Sequence, residues 1–588
     1  MSSADFSKVK VIDDVLATTD SVKYAVVKGA QNITPGKYTA ISNSNSSVTW
    51  NLQTPSEATI LSRRIMIRNT ISLVITGTLG AGAGAGDLLV NYGFTESLGP
   101  FPFQSLCNTI QMTINNNTIS QNMRDVMFAL QRFGDRREVE RFNNAAPVGY
   151  DSYWNYADAV GASNNPLGAF NDCAMDESYQ GRGVSRILSI TGNTPGPGAK
   201  NITLQFETIE PLLLSPLIFM DPKYNNQGFY GIQVLNIIAN VGSTNRIFRS
   251  AQKTIGGAAT NLSVSLLTPV AFDTPQLFIQ YYTRQPSDLV PSRNVVPFAE
   301  YPRYLSSGQQ AIPAATIVNA GGAASVTPGV LPSFASQTIS LNSIPDRLII
   351  FARKVLANQT PYDADCYFPI SKILVNFNNK AGLLSSATTH DLWRMSVESG
   401  SNATWAEFSG LSQVSRAVGA ATNPAGLTQI PTSGAPLVLS MGKHIELDDV
   451  FAPGSIGQFQ LQFQVDINNF SADAYASGSW ELVLITQNTG VFVLERGTSQ
   501  TYTAILSRSD VLAASSQPGY KGSDVKRLIG CGMEDDYKDL SGMGLAGSAM
   551  NGCGAAGAGQ SGSGQAGSGQ AGSGLAGSGK PRLSKHLQ

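Results

Sequence analysis

The feature that most constrains this chain is a pattern that occurs twice. Ile110, Met112 and Ile114 alternate with Gln111 and Thr113, the period of a strand with one buried face, and Asn115-Asn116-Asn117 breaks the run. Ser120 is placed to cap a helix in which Met123, Val126, Met127, Leu130 and Phe133 recur at spacings of three and four. The second copy has Ile373, Val375 and Phe377 alternating, Asn378-Asn379 ending the strand, and a helix predicted over residues 386 to 395. Upstream of each copy lies a matching pair. Thr49-Trp50-Asn51-Leu52, Pro55 and Arg64-Ile65-Met66-Ile67 precede the first; Thr338-Ile339-Ser340-Leu341, Pro345 and Arg347-Leu348-Ile349-Ile350 precede the second. Two motifs in the same order predict a duplicated β-rich unit.

A chain of 588 residues is too long for one core. The expected plan is an arm over 1–45, a first sandwich over 46–284, a linker over 285–296, a second sandwich over 297–516 and a tail over 517–588. Within the arm, a strand is expected near Lys23 to Val27 and a turn at Pro35-Gly36. Gly80 to Gly86 reads as a flexible hairpin loop. Gly134 to Lys200 and Gly400 to Pro436 are long irregular loops, of the kind that usually form functional surfaces. The tail is built of Gly, Ser, Ala and Gln repeats that cannot offset chain entropy by burial, so it is expected to be flexible.

Only 14% of residues are charged, against about 25% in ordinary globular proteins. Such a surface suits packing against copies of itself, because charge is depleted at interface cores. Thr- and Asn-rich strands and turns would give the same composition. Net charge is -1 and residues 1–28 balance four Lys against four Asp, so no basic arm for nucleic acid is expected. The start shows no secretory pattern, and the five scattered cysteines read as reduced thiols of a chain made without export. Its longest dense apolar run, Pro211 to Met220, is half the length of a membrane helix.

No motif carries catalysis. His390, His444 and His586 are far apart, and only His390 has an adjacent acid, Asp391. Gly574 to Lys580 fits G-x-x-x-x-G-K, yet Pro581 replaces the hydroxyl residue a phosphate loop needs. No metal, cofactor or catalytic set is expected.

Two tandem β-sandwiches, a helix after a matching strand in each, long loops and low charge resemble the major capsid proteins of the double jelly-roll lineage. That group includes adenovirus hexon and the capsid proteins of virophages, polinton-like viruses and large DNA viruses. FPFQSLCNTIQMTINNNTIS from Phe101 and EPLLLSPL from Glu210 to Leu217 look most like the virophage and polinton-like branch.

The resemblance implies an all-β fold of two tandem jelly rolls. It further implies homotrimers that act as pseudo-hexamers and tile an icosahedral virion shell assembled inside the host cell. Trimer contacts would fall on the two long loops. Penton and minor capsid proteins would be partners, and direct nucleic-acid binding is not expected. Relatives encode an adenovirus-type cysteine protease with Met/Ile/Leu-x-Gly-x-Gly sites. The candidate processing residues here are Leu528, Gly530 and Gly532; Leu540, Gly542 and Gly544; Met550, Gly552 and Gly554; and Leu575, Gly577 and Gly579. The competing reading is a glycan- or receptor-binding viral surface protein, since jelly rolls also serve lectins.

Overall fold

Period-2 alternation builds most of the strands. In the run Phe459 to Ile467, Phe459, Leu461, Phe463, Val465 and Ile467 are buried, while Gln460, Gln462, Gln464 and Asp466 point the other way. The structure, a computed structural model, describes residues 32–55, 59–92, 95–133, 151–154, 156, 186–217, 228–283, 293–320, 323–415, 427–448, 451–495, 497–504 and 506.

The framework strands of the first half are β1 (Asn32–Thr39), β2 (Ser47–Gln53), β3 (Met66–Leu79), β4 (Cys107–Ile114), β5 (Asn117–Asn122), β6 (Gly198–Pro211), β7 (Val234–Val241) and β8 (Phe272–Thr283). They pair in the orders β1-β8-β3-β6 and β2-β7-β4-β5. Those of the second half are β9 (Arg293–Glu300), β10 (Ile339–Ser343), β11 (Arg347–Lys354), β12 (Ile370–Phe377), β13 (Lys380–Leu383), β14 (Leu437–Ser440), β15 (Ile456–Asn469) and β16 (Trp480–Glu495). Their orders are β9-β16-β11-β14 and β10-β15-β12-β13. Each strand of one half has its counterpart at the same place in the other. Two antiparallel sheets in this order form a jelly roll, and the chain contains two. Further short strands extend the edges of the sheets.

Each sandwich closes over its own apolar core. In the first, the indole of Trp50 meets the Phe103 ring edge to face at 6.1 Å, and Phe103 meets Phe272 of the opposite sheet at 5.9 Å. In the second, Trp480 packs on Phe334 at 4.7 Å. Full burial of one such ring stabilises by roughly 1.5–3 kcal/mol.

Among the described residues, four α-helices decorate the sandwiches and shape their junction: α1 (Pro102–Leu106), α2 (Met123–Leu130), α3 (Thr389–Glu398) and α4 (Trp405–Ser409). α2 and α3 each follow the strand hairpin that carries the Asn turn. Here the structure corrects the sequence reading in detail. A second strand, β5 or β13, intervenes between turn and helix, so the first cap is Asn122 in place of Ser120, and the second helix begins at Thr389 with Thr388 as its cap, later than the expected residue 386. The Asn122 side chain accepts from the Asp125 amide at 3.2 Å. Thr388 and Asp391 form a reciprocal capping box at 3.3 and 3.1 Å.

Other expectations are also revised. Pro35-Gly36 lies inside strand β1, paired with Gln280 and Ile279, and a Cβ on Gly36 would come within 2.6 Å of the Tyr281 ring. Proline lacks an amide donor and is tolerated on such an edge strand. Residues 293–296 of the expected linker are strand, with Arg293 opposite Glu495. The Gly80–Gly86 loop is tied down, its Gly80 and Gly82 amides donating to the Ile255 and Gly256 carbonyls at 3.1 Å. The strand expected near Lys23 to Val27 lies outside the described residues.

Candidate functional site

For a chain with no catalytic set, the place where its two sandwiches meet is the candidate site. Strands β11 and the first half of β16 are buried on both faces, so they read as continuous apolar runs, LIIFA and WELVLIT. The inner face serves the second core. The outer face, with Ile349, Phe351, Val483 and Ile485, receives Val126, Ala129 and Leu130 of α2. A helix of the first sandwich thus covers a sheet of the second.

Beside this apolar patch lies a buried polar network. Asp125 of α2 is fully buried; its two oxygens accept from Arg353 of β11 and from Arg303. Arg353 also donates to Glu481 through Nε at 3.0 Å and Nη2 at 2.9 Å. Burial alone would raise the Asp125 pKa, but Arg353, Arg124 and Arg303 together outweigh it and hold the carboxyl well below the usual range.

A second knot joins the segment after β7 to the loop between β11 and β12. Arg249 Nη2 donates to Asp365 at 2.6 Å, and Arg246 Nε lies 2.9 Å from the same carboxylate. Arg246 also stacks on the Phe128 ring at 4.0 Å. The Asp365 amide donates to Asp151 at 2.8 Å, and Tyr156 donates to the other Asp151 oxygen at 2.5 Å. Burial pushes Asp151 up, and the nearby Asp365 charge adds to it against the pull of Arg249. In Asp365 burial is outweighed by Arg246, Arg249, Arg353 and Arg132, and its pKa falls. Breaking one such buried pair costs about 3–5 kcal/mol, because the abandoned charge stays buried.

The sandwiches also lend each other core residues. Val296 and Phe298 of β9 and Phe492 and Leu494 of β16 belong to the first core, where Phe492 meets Phe229 at 6.5 Å. In return Trp154, from the loop after α2, enters the second core against Phe368 at 5.3 Å. The segments that follow α2 and α3 meet as well, through bridges from Phe133 to Ser401 and from Tyr153 to Thr432.

His390 packs between Trp393 and Trp405 at 5.3 and 5.1 Å, and Asp391 serves the helix cap. His444 accepts the Ser440 amide at 3.1 Å. His390 and His444 are thus engaged in packing and structural hydrogen bonds. Among the described residues no group of acidic, Cys or His side chains is arranged to hold a metal. Cys107 and Cys366 are free thiols. All twelve candidate processing residues, from Leu528 to Gly579, lie outside the described residues, as do His586 and most of Gly134 to Lys200. Sequence reasoning does not single out Asp125, Arg353, Asp365 or Arg249; the signal for them is a charged residue within or beside an unbroken apolar run.

Two fused jelly rolls with exchanged core residues define a double jelly-roll structural protein. Residues 4–282 match the family model of the Sputnik virophage major capsid protein 1st domain, and residues 301–490 match the major capsid protein V20 C-terminal domain. Together the matches cover both sandwiches, and the chain belongs to the virophage-type double jelly-roll major capsid proteins. The putative capsid protein V20 of Sputnik virophage is 25% identical over 554 residues, covering 92% of this chain and 87% of that protein. The fold matches a chain of the Sputnik virophage cryo-EM structure at a TM-score of 0.69 and 22% identity, over 89% of this chain and 99% of that one. It matches the mavirus major capsid protein at 0.61 and 14%, over 87% and 99%. The chain is a virion capsid component, and this reading displaces the surface glycan binder.

Proposed function

We propose that three copies of the chain associate about a threefold axis into a pseudo-hexameric capsomer, and that these capsomers tile an icosahedral shell assembled inside the host cell. The observation that supports this is the repeat itself. One chain supplies two sandwiches of the same strand order, so threefold symmetry can fill a sixfold-like space. The loops after α2 and α3, within Gly134 to Lys200 and Gly400 to Pro436, are the contacts assigned to neighbouring chains, with penton and minor capsid proteins as further partners. No catalysis is assigned to the chain. Light scattering tests the reading together with negative-stain microscopy: the expected result is the mass of three chains with a hexagonal outline. A monomer or dimer at micromolar concentration overturns it.

The tail is the proposed substrate of a viral cysteine protease at the four glycine-containing sites between Leu528 and Gly579. Four matches to Met/Ile/Leu-x-Gly-x-Gly in a segment of small and polar residues, the kind of sequence that proteases cut, support this. Mass spectrometry of purified particles is expected to find truncated C-termini. Intact Gln588 in nearly every copy removes the proposal.

A further inference from the structure

The contact of α2 with the second sheet does not by itself choose an angle between the sandwiches; the exchanged core residues Phe492 and Trp154 and the Arg249–Asp365 pair limit it from elsewhere on the junction. Val126, Ala129 and Leu130 rest on a broad sheet face, and burial of apolar surface is non-directional, so a helix there keeps much of its contact when it swings. Asp125, beside Val126 on α2, has no such freedom. Its Oδ1 accepts from Arg353 and its Oδ2 from Arg303. These arginines stand on two strands that flank β16 on opposite sides, Arg353 opposite Glu481 and Arg303 opposite Ile485. The carboxylate therefore straddles the strand. Glu481 also holds Arg353, accepting from Nε and from the same Nη2 that reaches Asp125, and Arg124 Nε lies 3.4 Å from Asp125 on the helix itself. Successive helix positions differ by about 100° around the axis, so moving the carboxylate by one residue breaks both hydrogen bonds.

We infer that Asp125 is the positioning residue on α2 that, with the exchanged core residues, sets the angle between the two sandwiches, and through it the fit of the chain into its capsomer. The second clause rests on the trimeric reading; the first concerns a single chain. A residue that only added stability would lower the unfolding temperature without altering the distribution of angles.

The test uses full-length chain carrying nitroxides at Ser265 and Ser340, exposed positions on the first and second sandwich, diluted with unlabelled chain. Pulsed dipolar spectroscopy of the parent is expected to give one narrow distance peak. Asp125→Asn keeps the side-chain shape and removes the charge; it is expected to lose that peak to a broad distribution and to lower capsomer yield. Arg303→Gln, at a residue whose side chain is 24% exposed, gives a second variant that leaves the first sandwich untouched, and intermediate broadening is expected. If Asp125→Asn yields no soluble chain, Arg303→Gln decides alone. Parent-like peaks in every soluble variant overturn the inference. If the parent is monomeric yet the variants broaden, the capsomer reading falls while the angle assignment stands.

Discussion

Asn115 and Asn378 occupy the same place in the two sandwiches, in the same left-handed backbone conformation, with φ of +53° and +50°. Each opens the turn after the strand that carries it. The Asn115 amide donates to the Val234 carbonyl at 2.8 Å and its side-chain oxygen accepts from Gln233 at 2.7 Å. Asn378 does both with Gln460, at 2.9 Å each. A short polar side chain that tolerates positive φ and reaches the next strand explains why asparagine marks both copies.

Replacing either asparagine separates those two contributions. Asn378→Ala keeps the Cβ in the left-handed region but loses the side-chain hydrogen bond that offsets it, for a cost of about 1–2 kcal/mol. Asn378→Gly loses the same hydrogen bond but removes the Cβ that the left-handed conformation disfavours, so it is expected to cost less than Ala, under about 1 kcal/mol. Denaturant unfolding of both variants checks this. The same ranking is expected at Asn115, and equal losses for Ala and Gly at either site would refute the conformational part.

Exchange of core residues predicts that the sandwiches unfold together. Phe492 belongs to the second sandwich by sequence and to the first by burial, and Phe492→Ala is expected to cost about 3–5 kcal/mol. Calorimetry should show one transition shifted down as a unit. Two separated transitions, with only one moved, would show that the halves are energetically independent.

The duplication is legible in sequence because alternation, Arg and the Asn turns survive in both copies, and Ile110, Met112 and Ile114 are all fully buried as their spacing requires. Strand β5 is not legible. Its inward positions are Ile119 and Gln121, and Gln121 is satisfied by the Leu213 carbonyl at 3.2 Å, a partner that exists only after folding. Polar residues on an inward face hide the period, so the spacing points to a helix cap at Ser120, two residues early. The linker expectation is revised at residues 293–296 for a related reason. Pro291 and the polar residues around it suggest a connector, whereas Val296 and Phe298 are ordered by a core belonging to the other sandwich. The buried ion pairs at the junction depend on partners more than a hundred residues away, which no local pattern records.

Acid should loosen the junction. The pKa of Asp125 and that of Asp365 are both depressed in the folded chain, so their contribution is fully present above the ordinary carboxyl pKa of 3.8 and is lost as pH falls through the folded values. Asp365→Asn removes one of these contributions at neutral pH while leaving Arg249 and Arg246 buried, and a loss of about 3–5 kcal/mol is expected at pH 7. The loss should shrink toward pH 2, measured by denaturant unfolding at each pH. A penalty independent of pH would show that the Asp365 charge does not stabilise the junction.

Glu210 acts in the opposite sense. It is fully buried on β6, where Oε1 accepts the Phe103 amide at 2.7 Å and Oε2 the Gln104 amide at 3.2 Å, at the start of α1. Burial pushes its pKa up to about 7, and the hydrogen bonds from Phe103 and Gln104 offset only part of the rise. A folded pKa above the ordinary 4.5 means that the protonated form is favoured by folding. The resulting stability is complete below pH 4.5 and declines as pH rises toward 7, by about 3 kcal/mol in all. His444 works against this trend, since burial lowers its pKa and favours folding as pH rises. The difference between parent and Glu210→Gln, uncharged at every pH, isolates the carboxyl. The variant should be less stable than or equal to the parent at pH 5 and gain on it steadily up to about pH 8. A constant difference across that range would show that Glu210 is ionised in the folded chain throughout, with no raised pKa.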